Sequence, residues 1–189
     1  MDPGNKCRDD TCGALVERLN VYGSRQVGPQ RYREDIGRVF EDFAVGDVYE
    51  HRPGRTISEA DNTWFTLLTM NTHPLHFDRV YAGRSEFGQP LVNSTLTLAI
   101  VVGMSVSDVS QKAIANLGWR DIRMPAPVFV GDTLYAESEV LEKRESKSRP
   151  GQGIVTVRTT GKKADGTVVI VMERMMLVPK RGHADLQEA

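Results

Sequence analysis

An α+β fold, one antiparallel sheet wrapped around a single central helix, is what this sequence predicts. Three observations lead there. The apolar stretch from Leu91 to Met104, with small residues Ser94, Ala99 and Gly103 spaced through it, is long enough for a buried helix. After it the pattern changes to apolar/polar alternation, as in Thr133-Leu134-Tyr135-Ala136-Glu137-Ser138-Glu139-Val140. The alternating segments follow one another with turn signals such as Asp165-Gly166 between them, so one helix is succeeded by a run of antiparallel strands.

Residues 1–30 are rich in Asp, Asn, Gly, Arg and Gln and are read as a flexible N-terminal extension, broken by one short helical pattern at Gly13–Leu19. Its two cysteines, Cys7 and Cys12, have no second pair and no nearby histidine, so they are expected to be free thiols. The domain proper is expected over 31–180, with a polar C-terminal tail at 181–189. Val48–Arg52 follows the Gly46-Asp47 turn as a first strand. Ser58 is then a helix N-cap with Asp61 at the capping-box position. The helix that follows carries Trp64, Leu67 and Leu68 on one face, which the periodicity marks as the apolar side. Pro74 interrupts it and makes a loop of residues 71–74. Beyond the central helix, strands are expected at Leu117–Met124, Thr133–Glu142, Gly153–Thr160 and Val168–Leu177, with Arg149–Gly153 as a hairpin loop.

Composition bounds the function. The 189 residues carry 24 basic and 25 acidic side chains, a formal net charge of −1. That balance argues against nucleic-acid binding, which needs a basic excess. No run approaches the roughly 20 apolar residues of a membrane span. The first residues lack the basic-then-apolar order of a secretory signal, so a cytoplasmic protein is expected. No group of residues has metal-ligand spacing: His73 and His76 lie three apart in a loop, without a carboxylate placed to complete a helical site. No phosphate-cradling glycine loop is present either, and no separate cofactor is expected. Arg120, Arg123, Lys143, Arg144, Lys147 and Arg149 could meet the phosphates of a ligand, but a charged run of this kind reads as a solvated face and none is assigned.

Several motifs in order carry a resemblance. Phe43-x-Val45-Gly46-Asp47, Thr56–Asp61, Asn71-Thr72-His73-Pro74-Leu75-His76-Phe77-Asp78, Phe87-Gly88-x-Pro90-Leu91-Val92 and Pro127-Val128-x-x-Gly131-Asp132-Thr133-Leu134 follow one another over about residues 40 to 178. In this the chain resembles the MaoC-like dehydratases and (R)-specific enoyl-CoA hydratases. The resemblance implies a hot-dog fold, the pairing of two such units, and action on an enoyl-CoA or 3-hydroxyacyl-CoA thioester, CoA being part of the substrate. The family's motif is Gly-Asp-x-Asn-Pro-Leu/Ile-His. Here Pro74, Leu75 and His76 match, whereas Asn71 stands at the aspartate position and His73 at the asparagine position. The downstream His-Gly pair is replaced by Asn93-Ser94.

Adding water across an enoyl thioester needs a base for the water, an acid for the α-carbon, and donors for the thioester oxygen as charge grows on it. His76 is the expected base. Asn71 cannot exchange protons at ordinary pH, but its amide can position the water, and His73 is the candidate for the missing proton-transfer capacity. Backbone N–H groups at the start of the central helix, Asn93, Ser94 and Thr95, are the expected oxyanion donors. Each has a simpler structural role available: Asn71 as a turn-forming side chain, His73 as a loop hydrogen bonder, Asn93 or Ser94 as a helix cap. Glu59 and Asp61 read as capping groups, Asp78 as a turn starter or a partner for Arg79 or Arg84, and His51 and His183 have no context that suggests a role.

The exchange of Asp for Asn at residue 71 fits a substrate with its own carboxylate. Two like charges about 4 Å apart at an effective dielectric of about 20 cost roughly 4 kcal/mol. A short dicarboxylic acyl group of the mesaconyl, itaconyl or methylglutaconyl type is therefore expected, slightly ahead of a plain short-chain enoyl-CoA. Two alternatives stand beside it. A thioesterase would want an acidic residue on the central helix, and Leu91 to Met104 offers none. A non-catalytic acyl-CoA-binding subunit would pair with a sister chain that keeps the aspartate. A homodimer is the expected minimum assembly, because an open sheet leaves an edge to be covered.

Overall fold

The computed structural model describes residues 23–184. The N-terminal residues 1–22, including both cysteines and the 13–19 pattern, and the last five residues lie outside the described part. The first described element is a hairpin, strand β1 (Gly23–Gly28) paired antiparallel with β2 (Arg31–Asp35). The boundary expected between an extension and a domain at residue 30 therefore falls inside a hairpin, and residues 23–30 are strand and turn. Lys112 ties this hairpin to the body through Asp35, at 2.6 Å.

Five strands form the main sheet: β3 (Val48–Thr56), β4 (Ala115–Arg123), β5 (Thr133–Glu145), β6 (Gln152–Lys163) and β7 (Val168–Pro179), in the spatial order β3-β5-β6-β7-β4, all antiparallel. Helix α1 (Glu59–Leu68) follows β3. A 3-10 turn at Pro74–His76 and the short helix α2 (Arg79–Ala82) come next. The central helix α3 (Ser94–Met104) then packs across β3, β5 and β6. It starts three residues later than its apolar run, because Leu91 forms an isolated bridge with Phe129 and Asn93 takes the cap. Its end runs into a π-helical turn, Val106–Ser110.

Alternation along the strands decides what faces the helix. On β5, Leu134, Ala136, Ser138 and Val140 are buried in turn. One apolar cluster gathers Ile57, Leu96, Val101, Leu134, Ile170 and Met172, and a second gathers Phe40, Phe43, Val140, Val157, Met176 and Val178. Each fully buried aliphatic side chain of this kind contributes roughly 1.5–3 kcal/mol. Helix and sheet approach closely at Gly161, where a Cβ atom would stand 2.7 Å from both Val101 and Ile170. Only glycine fits there without moving the core.

Polar groups cross the middle of this interior. His51, fully buried on β3, sits between Asp108 of the π-turn (Nδ1 to Oδ2, 2.9 Å) and Ser138 of β5 (Nε2 to Oγ, 2.8 Å), and Ser138 continues to Thr159 at 2.8 Å. The order Ser–His–Asp is that of a nucleophilic triad, but neither Ser138 nor His51 is exposed at all. No substrate reaches them, and the chain joins three strands to the helix end. Arg174 on β7 is also inward, 3% exposed, between Met172 of one cluster and Met176 of the other. It donates to Ser105 Oγ at 3.0 Å, and burial pushes its guanidinium down to about 10.

On the outer face charges alternate across four strands: Glu139, Arg158, Glu173 and Arg120. Arg158 and Arg120 both reach Glu173, at 2.8 and 2.7 Å. Arg120 is thereby a ladder member. Lys143, from the same charged run, donates to the carbonyls of Phe40 and Phe43.

Helix α1 departs from expectation. Ser58 and Asp61 form the capping box as expected: Ser58 N–H donates to Asp61 Oδ2 at 2.8 Å and Asp61 N–H to Ser58 Oγ at 3.2 Å. The buried face, however, is Asn62 and Thr66, while Trp64 (67% exposed), Leu67 and Leu68 point outward. Periodicity distinguishes two faces but not which one turns inward. Here the inward one is polar, because the loops beneath it present main-chain groups that need partners. No helix among the described residues is long and apolar enough to cross a membrane.

Candidate active site

The candidate residues come together where α1, the 71–78 loop and the start of α3 meet. Helix α1 ends with Asn71 N–H bonded to Thr66 O and Met70 N–H to Leu67 O, both at 3.0 Å, with Met70 in the left-handed region (φ 58°). This is a Schellman closure with methionine where glycine is usual, and it aims the chain into the loop.

In the loop, Asn71 Oδ1 accepts from His73 N–H at 3.0 Å, and His73 Nδ1 accepts from Leu75 N–H at 3.1 Å. Both side chains thus take the structural roles open to them, an Asx turn and an N-cap of the 3-10 turn. Asn71 keeps its amide nitrogen for another acceptor. His76 differs. Its Nδ1 lies 2.9 Å from the carbonyl oxygen of Leu91. A carbonyl only accepts, so Nδ1 carries the proton and the lone pair of the neutral ring sits on Nε2. His76 lines a cavity of about 210 Å³ together with Glu59, Asn62, Phe77, Arg79 and Gln89. Asn71 and His73 are not among the residues lining it.

A second cavity, about 290 Å³, is lined by Leu91, whose carbonyl meets the His76 ring. Its wall is mainly apolar, with Phe87, Val92, Pro127 and Val128, and it includes Ser94 and Thr97 of α3. The start of α3 supplies fewer donors than its three N–H groups suggest. Asn93 N–H is taken by Asn62 Oδ1 at 2.9 Å, and Thr95 N–H by Asn93 Oδ1 at 3.0 Å. Ser94 N–H makes no hydrogen bond among the described residues, and Asn93 is the helix cap.

The family can be decided at this point. The sequence of residues 29–187 matches the family model described as mesaconyl-CoA hydratase. The chain belongs to that family. A mesaconyl-CoA hydratase of Cereibacter sphaeroides is 34% identical over 152 residues, 80% of this chain and 44% of that protein. A putative MaoC domain dehydratase from Chloroflexus aurantiacus has a solved structure that superposes with a TM-score of 0.73 at 35% identity, covering 77% of this chain and 41% of that one. A conserved hypothetical protein from Mycobacterium tuberculosis, described as having a double hotdog fold, superposes with a TM-score of 0.72 at 26% identity, over 81% of this chain and 47% of that one. The fold is thus the hot-dog fold, and the chain spans a little under half the length of these relatives.

Two groups stand out here: Asn62, which the sequence reading passed over, and Glu59, which it took for a capping group. Asn62, 1% exposed, donates from Nδ2 to the carbonyls of His76 (2.7 Å) and Leu91 (3.1 Å) while its Oδ1 accepts from Asn93. One amide thereby fixes the loop, the segment that holds the His76 ring, and the helix cap. The signal in the sequence was the polar pair Asn62 and Thr66, four apart on one helical face. The other is Glu59 with Arg79: Nε and Nη2 of Arg79 meet the two Glu59 oxygens at 3.0 and 2.6 Å. This bond holds the Glu59 carboxyl below the usual carboxylate range. Asp78 does not pair with Arg79. It caps α2, accepting from Val80 and Tyr81 N–H.

Proposed function

We propose that this chain hydrates a 2-enoyl-CoA thioester, or dehydrates the corresponding 3-hydroxyacyl-CoA, with His76 as the base. The observation that carries the proposal is the hydrogen bond from His76 Nδ1 to Leu91 O, which leaves Nε2 as a proton acceptor in a residue that lines a cavity. In the hydration direction Nε2 takes a proton from water and the oxygen adds to the β-carbon. The double-bond electrons move onto the thioester as an enolate, and the α-carbon then takes a proton from the imidazolium. Ser94 N–H at the start of α3 is assigned to the thioester oxygen, where the helix end favours the developing charge. Asn71 and His73 lie outside the lining of the His76 cavity and are assigned supporting places in the loop that carries His76, the two histidine ring centres 5.9 Å apart.

The acyl group is proposed to be a short dicarboxylic one of the mesaconyl type. The names of the relatives support this, mesaconyl-CoA hydratase and beta-methylmalyl-CoA dehydratase among them, as does the neutral Asn71. The purified chain tests both statements. Loss of the conjugated thioester absorbance with mesaconyl-CoA is expected, to a greater extent than with crotonyl-CoA. His76→Ala should lower kcat by about 10²–10⁴-fold, and unchanged turnover in that variant defeats the assignment. Release of free thiol instead would make the chain a thioesterase.

The working unit is proposed to contain two hot-dog units. Edge strand β4 exposes Leu117, Trp119 and Ile122 beside its unpaired main chain, and α1 exposes Trp64 and Leu68. Light scattering on the purified chain should give twice the chain mass; a monomer mass with full activity would contradict it.

A further inference from the structure

The cavity that holds His76 contains one cationic side chain among its lining residues, and the mechanism above gives it no task. We infer that Arg79, braced by Glu59, binds the free carboxylate of the acyl group and so selects dicarboxylic over plain enoyl-CoA substrates. The inference rests on the dicarboxylic reading of the site and names the residue that would enforce it.

Substrate chemistry restricts where such a residue can lie. In a mesaconyl-type thioester the free carboxylate is bonded directly to the β-carbon, the atom that water attacks. A group that recognises this carboxylate must share a cavity with the base, and Arg79 and His76 do. The guanidinium also has the right valence. It carries five N–H donors, and Glu59 uses one on Nε and one on Nη2. The two on Nη1 and the second on Nη2 make no hydrogen bond among the described residues. One on Nη1 and the second on Nη2 form the end-on edge of the fork, which fits a second carboxylate in a bidentate pair. Glu59 is then a positioning residue. It holds the fork in one orientation through two bonds and offsets its charge.

The arrangement also explains why the bonding partner of Glu59 is an arginine. A lysine would neutralise charge but could not serve one carboxylate on its side edge and another on its end. Gln89, on the same wall, adds a neutral donor. Asn71 in the neighbouring loop adds no negative charge beside the bound carboxylate. A cation next to the β-carbon further offsets the repulsion that a carboxylate there would exert on the incoming water oxygen as it becomes negative.

The test compares the whole wild-type chain with Arg79→Gln in two measurements. One is the ratio of kcat/KM for mesaconyl-CoA to that for crotonyl-CoA. The other is calorimetric affinity for the saturated pair succinyl-CoA and butyryl-CoA, which bind without turnover. Wild type is expected to prefer the dicarboxylic member in both, and Arg79→Gln to lower each preference about tenfold or more. Arg79→Lys should recover part of the affinity preference, and Glu59→Gln should raise KM for mesaconyl-CoA. If wild type hydrates mesaconyl-CoA and Arg79→Gln leaves both ratios unchanged, the inference is wrong while the proposed function stands. If wild type itself favours crotonyl-CoA, the dicarboxylic reading fails and the role of Arg79 falls with it.

Discussion

Asn62 grips His76 by its main chain: the Asn62 Nδ2 lies 2.7 Å from the His76 carbonyl oxygen and 3.1 Å from that of Leu91, the same carbonyl that fixes the His76 ring. Three segments distant in sequence are thus referred to one buried amide. Replacing it leaves two carbonyls and the Asn93 N–H without that partner. Each unsatisfied buried group costs roughly 1–3 kcal/mol. Asn62→Leu is therefore expected to lose about 3 kcal/mol or more in urea unfolding and to lower kcat, since the ring would no longer be held in register. A variant as stable as wild type would show that loop and cap do not depend on this bridge.

Asn71 offers a change of substrate preference. Asn71→Asp puts a negative charge in the loop that carries His76, and like charges about 4 Å apart cost about 4 kcal/mol in a medium of effective dielectric about 20, less at the greater range of a residue outside the cavity lining. The kcat/KM ratio of mesaconyl-CoA to crotonyl-CoA should fall, by about tenfold if only part of that cost is felt. A ratio that rises or stays level contradicts the charge argument.

Met70 is a local strain with a simple remedy. An L-residue in the left-handed region costs about 1–2 kcal/mol, whereas glycine's extra freedom in the unfolded chain takes back about 0.5–1. Met70→Gly should therefore stabilise the chain by about 0.5–1 kcal/mol, read as a rise in Tm. Met70 is 87% exposed and makes no core contact that would offset the gain.

The outer charge ladder predicts an acid limb. Hydrogen bonds from Arg158 and then Arg120 hold the Glu173 carboxyl below its ordinary value of 4.5. A carboxylate with a depressed folded value stabilises the fold above its unfolded value, and this stabilisation is lost as pH falls through the folded one. Tm measured from about pH 7 down to about pH 3 should fall less steeply for Glu173→Gln than for wild type. Parallel curves would mean that the ladder contributes nothing to acid stability.

Much of the fold was legible because its signals are local. The alternation of 133–142 and of 168–177, the Ser58–Asp61 capping box and the Asp165-Gly166 turn each report a short-range physical preference, and each gave an element within a few residues of its observed bounds. The hairpin at Gly23–Asp35 was missed because its strands are polar and show no apolar alternation; β2 is exposed along its whole length.

For the site, local signals pointed to the 71–78 segment, to Asn93 or Ser94 as the helix cap and to the chemical types available; the folded chain puts the cap at Asn93. Tertiary structure decided which of them meet. Only the folded chain shows that His76 leans on Leu91, fifteen residues away, or that α1 turns its polar face inward so that Asn62 can serve both. Only there do Glu59 and Arg79, twenty apart, share the His76 cavity. The physical reason is that periodicity and capping are settled within a few residues by backbone geometry, whereas the partner of a buried polar group is whatever unsatisfied main chain the packing brings to it.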